Sequence, residues 1–158
     1  METTQLNWAV IGCGVIANEM AQGLAKMSRT LYSVANRTHE KAVQFAQVYN
    51  VRRVYDAIDE VFTDLDVDII YITTPHNTHY KYMKKALENG KHIFVEKSIT
   101  LNSRELAEMI SLAKERGLLI GEATSLLFRG VVFSFVSVFT APCCVCQEKS
   151  EPFAKKKN

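Results

Sequence analysis

The sequence predicts an α/β fold, a doubly wound parallel sheet, and three observations carry that reading. From residue 6 to about residue 123, strand-like and helix-like segments alternate with short connectors. The strand-like segments are continuous apolar runs, as expected where helices cover both faces of a parallel sheet. The first of them runs into a glycine turn, Gly12-Cys13-Gly14-Val15-Ile16-Ala17, that opens directly into an amphipathic helix.

The elements follow in order. Residues 6–11 (LNWAVI) read as a strand, and Val15 to Met27 as a helix with apolar residues at helical spacing. Residues 31–36 (LYSVAN) form a second strand. Thr38 is placed to cap a helix through EKAVQFAQVY, and the short run RRVY follows. Asp56 is placed to cap AIDEVF. Residues 68–73 (DIIYIT) are apolar and β-branched, and this strand ends at TPHNTH. The next helix, HYKYMKKALENG, stops at Gly90, a residue suited to the left-handed position past a helix end. Residues 91–97 (KHIFVEK) are the fifth strand. Asn102 with Glu105 three residues on has the form of a capping box opening SRELAEMISLAKERG, closed by Gly117. Residues 118–123 (LLIGEA) are the last strand.

The chain has 158 residues, 47% of them hydrophobic and 23% charged, enough for one globular domain and too few for two ordinary ones. Residues 1–124 are assigned to the domain and 125–158 to an atypical tail. With 19 basic against 17 acidic residues there is no large single-sign field, which argues against nucleic acid as a partner. The N-terminal segment METTQLNWAV lacks the pattern of a signal peptide. One cysteine in the first 142 residues fits a reducing, cytoplasmic setting, although so few cysteines equally carry no message. The tail has no helical period, contains an uncharged apolar run and ends in lysines. Gly130 to Cys146 is at the short limit for a membrane span and is interrupted by Pro142, so no membrane role is expected. A strand with a tail, or a truncated or frame-shifted end, remain as readings. Cys143, Cys144 and Cys146 have no second Cys or His pair downstream to complete a zinc site, so no metal is expected and an oxidation-prone tail is the better reading.

The glycine turn has the chemistry a pyrophosphate needs. Gly12 permits the turn, Gly14 lets backbone approach the phosphates, and Ala17 lets the helix pack close to its strand. The free N–H groups and dipole of the helix N-terminus, at Val15 and Ile16, then face negative charge. At the end of the second strand, where a carboxylate usually accepts from the ribose 2′-OH of NAD, the residues are Asn36, Arg37 and Thr38. An arginine there pairs with a 2′-phosphate, so NADP is expected over NAD, unless Arg37 is simply a solvated residue at a strand end. His39 and His92 read as structural. Taken alone, Glu96 and Lys97 are a charged pair ending a strand, at the edge where such sheets bind ligands.

Three segments together, the glycine turn, YITTPHNTHY (71–80) and ALENGKHIFVEKSIT (86–100), resemble the Gfo/Idh/MocA family of NAD(P)-dependent oxidoreductases. The likeness is greatest to the branch of glucose–fructose oxidoreductase and dihydrodiol dehydrogenase, and covers residues 6 to about 123. It implies a Rossmann domain and hydride transfer between the nicotinamide and an alcohol or carbonyl of a sugar, cyclitol or diol. It also implies that Thr74, Pro75, Asn77 and His79 line the nicotinamide half of the site, and that Glu96 sits beside the cofactor; read from the residues alone, His76 and His79 are equally loop residues or a helix start. The family's Glu-Lys-Pro motif falls on Glu96-Lys97-Ser98, so Lys97 is implied as the catalytic residue; an ammonium there stabilises a developing alkoxide. Glu122 matches another position near the family's active site.

Two departures stand out. Ser98 replaces the family's proline, which relaxes the backbone just after Lys97. The family also carries a C-terminal α+β domain that forms much of the substrate pocket and often an oligomer interface, and the residues after Ala123 show no pattern able to build it. The chain is therefore expected to be a truncated oxidoreductase domain, a possible homo-oligomer with a polyol or sugar as the family's substrate. The alternatives are a non-catalytic nucleotide-binding protein and an inactive truncated or frame-shifted product.

Overall fold

The apolar runs form strands, and the polar connectors between them carry the turns. A computed structural model describes residues 6–123. Expectations for residues 125–158, including Cys143, Cys144 and Cys146, lie outside the described residues. The chain runs β1 (Trp8–Ile11), α1 (Val15–Lys26), β2 (Ser33–Ala35), α2 (His39–Tyr49), β3 (Arg53–Val54) and α3 (Ile58–Thr63). It continues with β4 (Ile69–Ile72), a 3-10 turn (His76–Thr78), α4 (His79–Glu88), β5 (His92–Glu96), α5 (Ser103–Arg116) and β6 (Ile120–Ala123). Among the described residues no helix is long and apolar enough to cross a membrane.

The six strands pair in parallel in the order β3-β2-β1-β4-β5-β6. The chain starts at the centre, builds outward to β3, then returns to the other side of β1. That reversal is the topological switch point of a doubly wound sheet, so the expected fold class is the one found. It also decides which helix covers which face. Ala17, Met20 and Ala21 of α1 and Ala42, Phe45 and Ala46 of α2 pack on Val10, Val34 and Tyr71. Val61 and Phe62 of α3, Met83 and Leu87 of α4, and Met109 of α5 pack on Ile11, Ile70, Ile72 and Ile93 on the opposite face. β4 is buried on both faces along its whole length, which is why its sequence shows no alternation.

The register aligns the site. Ala35, Ile11, Ile72, Val95 and Glu122 lie in one row across the sheet. The next residues, Asn36, Gly12, Thr73 and Glu96, therefore share the carboxyl edge, where ligands bind in such sheets. The amino edge is an anchor instead. There the buried Lys91 ammonium donates to the carbonyl oxygens of Asp64 (2.5 Å) and Val67 (2.8 Å). Burial pushes this lysine below its ordinary range, against the pull of Asp64, Asp68 and Asp66.

Local caps depart from expectation in three places. Thr38 is the N-cap of α2, but its side chain makes no cap bond. α3 begins one residue later than an Asp56 cap requires: Ala57 is its N-cap, and the Glu60 carboxylate accepts from the Ala57 N–H at 3.1 Å. At α5, Asn102 accepts from the Glu105 N–H at 2.9 Å, while the Glu105 carboxylate reaches back past Asn102 to the Leu101 N–H at 3.3 Å. Half of that predicted box forms as drawn, and the other half is displaced by one residue.

Candidate functional site

The glycine turn joins β1 to α1 at the switch point. Gly12 has φ +105°, and a Cβ on it would lie 2.6 Å from the Thr73 hydroxyl oxygen and 3.2 Å from the Thr73 carbonyl oxygen. Its N–H donates to the Ala35 carbonyl at 2.9 Å. The turn is thus pressed between the ends of β2 and β4, and only glycine fits. Gly14 is the N-cap of α1, with extended backbone, no side-chain cap and no acidic residue in the first turn. A Cβ on Gly14 would meet nothing within 4 Å. The amides at the head of α1, at Val15, Ile16 and Ala17, therefore receive no side-chain cap from Gly14. Ala17 is fully buried, which brings the helix close to the sheet. These features fit a pyrophosphate: donors, a dipole and room for a close approach. A cleft of about 690 Å³ opens here, lined by Cys13, Gly14, Val15, Asn18, Glu19 and Gln22. Burial pushes the Cys13 thiol up to about 11, with Lys41 opposing, so Cys13 is a protonated wall rather than a nucleophile at neutral pH.

Beside the turn, the end of β2 carries Asn36, whose side-chain amide donates to the Thr38 carbonyl at 3.0 Å and shapes the loop. Arg37 and Thr38 are exposed. Among the described residues no carboxylate forms an ion pair with Arg37. His39 and His92 hold backbone instead: the His39 ring lies 3.2 Å from the Tyr55 carbonyl, and His92 accepts from the Leu119 N–H at 3.1 Å.

On the other side of the turn lie the loops after β4 and β5. The Thr73 hydroxyl donates to the Ile11 carbonyl at 3.0 Å, binding β4 to β1. The Thr74 and Thr78 hydroxyls bond to one another at 2.7 Å, and Pro75 and Asn77 are exposed at the rim. His79 opens α4, the helix start that the residues alone offered for it. It is fully buried, and its ring nitrogens face the carbonyl oxygens of Ser98 (2.9 Å) and Thr74 (2.8 Å). With both nitrogens engaged by backbone, it has none to present to a cofactor. The signal was in the sequence: His79, Met83, Ala86 and Leu87 form one buried stripe at helical spacing.

Glu96 ends β5 half-buried and accepts a hydrogen bond from the Tyr71 hydroxyl. Burial raises the Tyr71 phenol far above its ordinary range, and the Glu96 bond and charge raise it further, so it stays a donor. Lys97 is exposed, and its peptide to Ser98 is cis. The Glu122 carboxylate accepts from the Ile99 N–H at 3.1 Å and so holds the loop beyond Lys97. The fold therefore brings Gly12, Gly14, Thr74, Glu96 and Lys97 to one edge on three adjacent strands. Asn36, Arg37 and Thr38 occupy the same edge on the far side of β1. The roles of Tyr71 and Glu122 carry no local sequence signal, because their partners lie 25 and 23 residues away. Among the described residues no group of three or more His, Cys, Asp or Glu is placed to hold a metal.

Comparison with known proteins places this geometry. The model of an oxidoreductase family with an NAD-binding Rossmann fold, Gfo/Idh/MocA, matches residues 6–124. A trans-1,2-dihydrobenzene-1,2-diol dehydrogenase from Xenopus laevis is 31% identical over 119 residues, 73% of this chain and 36% of the relative. The enzyme of that name from Mus musculus is 31% identical over 121 residues, 75% of this chain and 36% of the relative. The chain thus spans little more than a third of the length of these relatives. An NAD binding oxidoreductase from Klebsiella pneumoniae superposes with a TM-score of 0.73 at 25% identity, covering 79% of this chain and 36% of that one. A variant of KijD10, a 3-ketoreductase from Actinomadura kijaniata in complex with TDP-benzene and NADP, gives a TM-score of 0.73 at 25% identity over 87% of this chain and 42% of that one. The chain belongs to the Gfo/Idh/MocA oxidoreductase family, and its described residues form that family's NAD(P)-binding Rossmann domain.

Proposed function

We propose that this domain serves hydride transfer between NADP(H) and a secondary alcohol or carbonyl of a sugar, cyclitol or diol. One observation carries the reading: the uncapped N-terminus of α1 and the exposed Lys97 stand on the same carboxyl edge, two strands apart. The amides at the head of α1 hold the pyrophosphate, with Gly12 and Gly14 giving it room. Arg37 takes the 2′-phosphate of the adenosine ribose, with Asn36 and Thr38 beside it. Thr74, Pro75 and Asn77 border the nicotinamide half, and Glu96 closes it. The bound nicotinamide supplies the hydride chemistry.

Lys97 orients the substrate oxygen and stabilises the alkoxide character that develops on it. Positioning contributes on the order of 7–11 kcal/mol to such reactions, and exclusion of water adds to it. Lys97 is exposed, so among the described residues nothing covers the reacting centre. Turnover therefore requires a substrate-side cover over this edge.

The test is a calorimetric titration of the 158-residue chain with NADPH and then NADH. NADPH binds in the micromolar range and NADH about tenfold more weakly, the worth of a charge-assisted arginine–phosphate pair. Arg37→Ala removes that preference without changing the melting temperature. A folded chain that binds neither nucleotide ends the oxidoreductase reading, and a preference for NADH ends the Arg37 assignment.

A further inference from the structure

We propose that Asn18 is a positioning residue for the pyrophosphate, and that Tyr49 of α2 holds it in place. The inference rests on the cofactor reading above but draws on a separate set of hydrogen bonds. Asn18 closes the first turn of α1, where asparagine is a poor helix former. Its side-chain nitrogen donates back to the Gly14 carbonyl at 2.8 Å and reaches the Cys13 carbonyl at 3.4 Å. The Asn18 backbone N–H meets the same Gly14 carbonyl at 3.2 Å. A capping side chain ordinarily fixes the start of a helix from outside; here Gly14 supplies none, and the first turn is tied from within. The peptide unit is planar, so its C=O and the next residue's N–H point in opposite directions along one rigid group. Holding the Gly14 carbonyl therefore aims the Val15 N–H, and holding the Cys13 carbonyl aims the Gly14 N–H. The tie leaves the approach at Gly14 open, since a Cβ there would meet nothing within 4 Å.

Asn18 is itself held from the neighbouring helix. The hydroxyl of Tyr49, the last residue of α2, donates to Asn18 Oδ1 at 2.9 Å. Gln22 Nε2, one turn along α1, donates to the Tyr49 oxygen at 3.3 Å. These bonds fix the direction of the chain. A phenol has one proton, and with an N–H arriving at its oxygen that proton goes to Asn18. The Asn18 oxygen thus faces Tyr49 and its nitrogen faces the carbonyls, whereas a flipped amide would set oxygen against two carbonyl oxygens. Donors run one way, from Gln22 through Tyr49 and Asn18 to Gly14, and each bond in such a chain polarises the next. The buried Phe45 ring packs on the phenol at 4.8 Å between centroids. Asn18 lines the cleft with Cys13 and Gly14, and Tyr49 stands behind it. Tyr49 therefore acts on a ligand in the cleft through Asn18.

The experiment titrates the full chain with NADPH and with adenosine 2′-phosphate, which carries no pyrophosphate. The variants are Tyr49→Phe, Asn18→Leu, the two combined, and Met83→Ala. Met83 is fully buried against the opposite face of the sheet, so its truncation supplies a loss of stability away from the turn. Tyr49→Phe keeps the ring on Phe45 and loses only the hydroxyl, and it binds NADPH about fivefold more weakly, the equivalent of one hydrogen bond. Asn18→Leu binds about tenfold more weakly, and the double variant no more weakly than Asn18→Leu, because one residue acts through the other. Adenosine 2′-phosphate binds all of them as it binds the wild type. In the unliganded chain the Gly14 and Val15 amide resonances move in Tyr49→Phe as well as in Asn18→Leu. Met83→Ala lowers the melting temperature and changes neither affinity. Tyr49→Phe binding NADPH like the wild type, a double variant whose losses add, or an equal weakening of adenosine 2′-phosphate each overturns this role alone. A wild-type chain that binds neither ligand overturns the cofactor reading, and this role with it.

Discussion

The glycine turn after β1 and the paired loops after β4 and β5 border one cleft but are made by opposite means. The turn is shaped by atoms that are not there. Gly12 lies against Thr73 where no side chain fits, and Gly14 leaves open space at the head of α1. Its hydrogen bonds converge on backbone groups: the Gly12 N–H donates to the Ala35 carbonyl, and the Gly14 carbonyl accepts from the Asn18 amide at 2.8 Å. The loops are shaped by side chains that reach in: Thr78 to Thr74, His79 to Ser98 and Thr74, Tyr71 to Glu96, Glu122 to Ile99. The difference matches the parts of a dinucleotide. A pyrophosphate is recognised by bare backbone and a dipole, whereas a reacting centre needs particular functional groups at fixed distances. The turn therefore fails when atoms are added, and the loops fail when atoms are removed.

The largest effect is expected from adding one methyl group at Gly12. An alanine there is forced to φ +105°, with its Cβ 2.6 Å from the Thr73 hydroxyl oxygen. That hydroxyl is not free to move, since it donates to the Ile11 carbonyl at the centre of the sheet. Gly12→Ala costs the fold about 3 kcal/mol and abolishes nucleotide binding. Urea unfolding monitored by circular dichroism measures the first, and NADPH titration the second. A variant as stable as wild type would show that the turn is not held against β4.

This contrast also explains what the sequence disclosed. The turn was legible because its determinants are local: two glycines and an alanine at fixed spacing after a strand. The parallel sheet was legible for a related reason, since a continuous apolar run such as Ile69–Ile72 suits a strand covered by helices on both faces. The loops were legible in part through resemblance and in part through the helix pattern. His79 was implied beside the cofactor, while the residues alone offered it as a loop residue or a helix start, and it opens α4 with its ring carried into the core. Tyr71 looks like one more apolar residue of β4, and its hydroxyl reaches Glu96 only because β4 and β5 are neighbours. Side-chain bonds between residues more than 20 positions apart are products of topology, and no local pattern announces them. The Asp56 cap failed for a smaller reason: Glu60 reaches back to Ala57, so the helix starts one residue later without a capping side chain.

Gly14→Ala separates fold from binding. Its backbone is extended, at φ −78° and ψ −171°, which alanine adopts freely, and its Cβ meets nothing within 4 Å. The loss of a favourable N-cap residue costs under about 1 kcal/mol. The ligand meets the same methyl group where the phosphates approach backbone, so NADPH affinity falls on the order of 100-fold. Thermal melting and calorimetry on the same sample make the comparison. If melting falls while affinity holds, the open space at Gly14 is a feature of the fold and the pyrophosphate lies elsewhere.

The smallest effect tests the loops from their outer end. Glu122 is exposed, and its carboxylate holds the Ile99 N–H at 3.1 Å. One exposed bond of this kind contributes on the order of 1 kcal/mol or less, so Glu122→Ala barely moves the melting temperature. Its effect is local: the Ile99 amide exchanges with solvent up to about fivefold faster, as the loss of roughly 1 kcal/mol of protection requires. Glu122→Gln keeps an acceptor oxygen and restores most of the protection. The Gly12 and Gly14 amides keep their wild-type exchange in both variants, because the turn depends on backbone and not on this carboxylate. Exchange that quickens at the turn as well would mean the two regions share a brace, and the division between them would have to be redrawn.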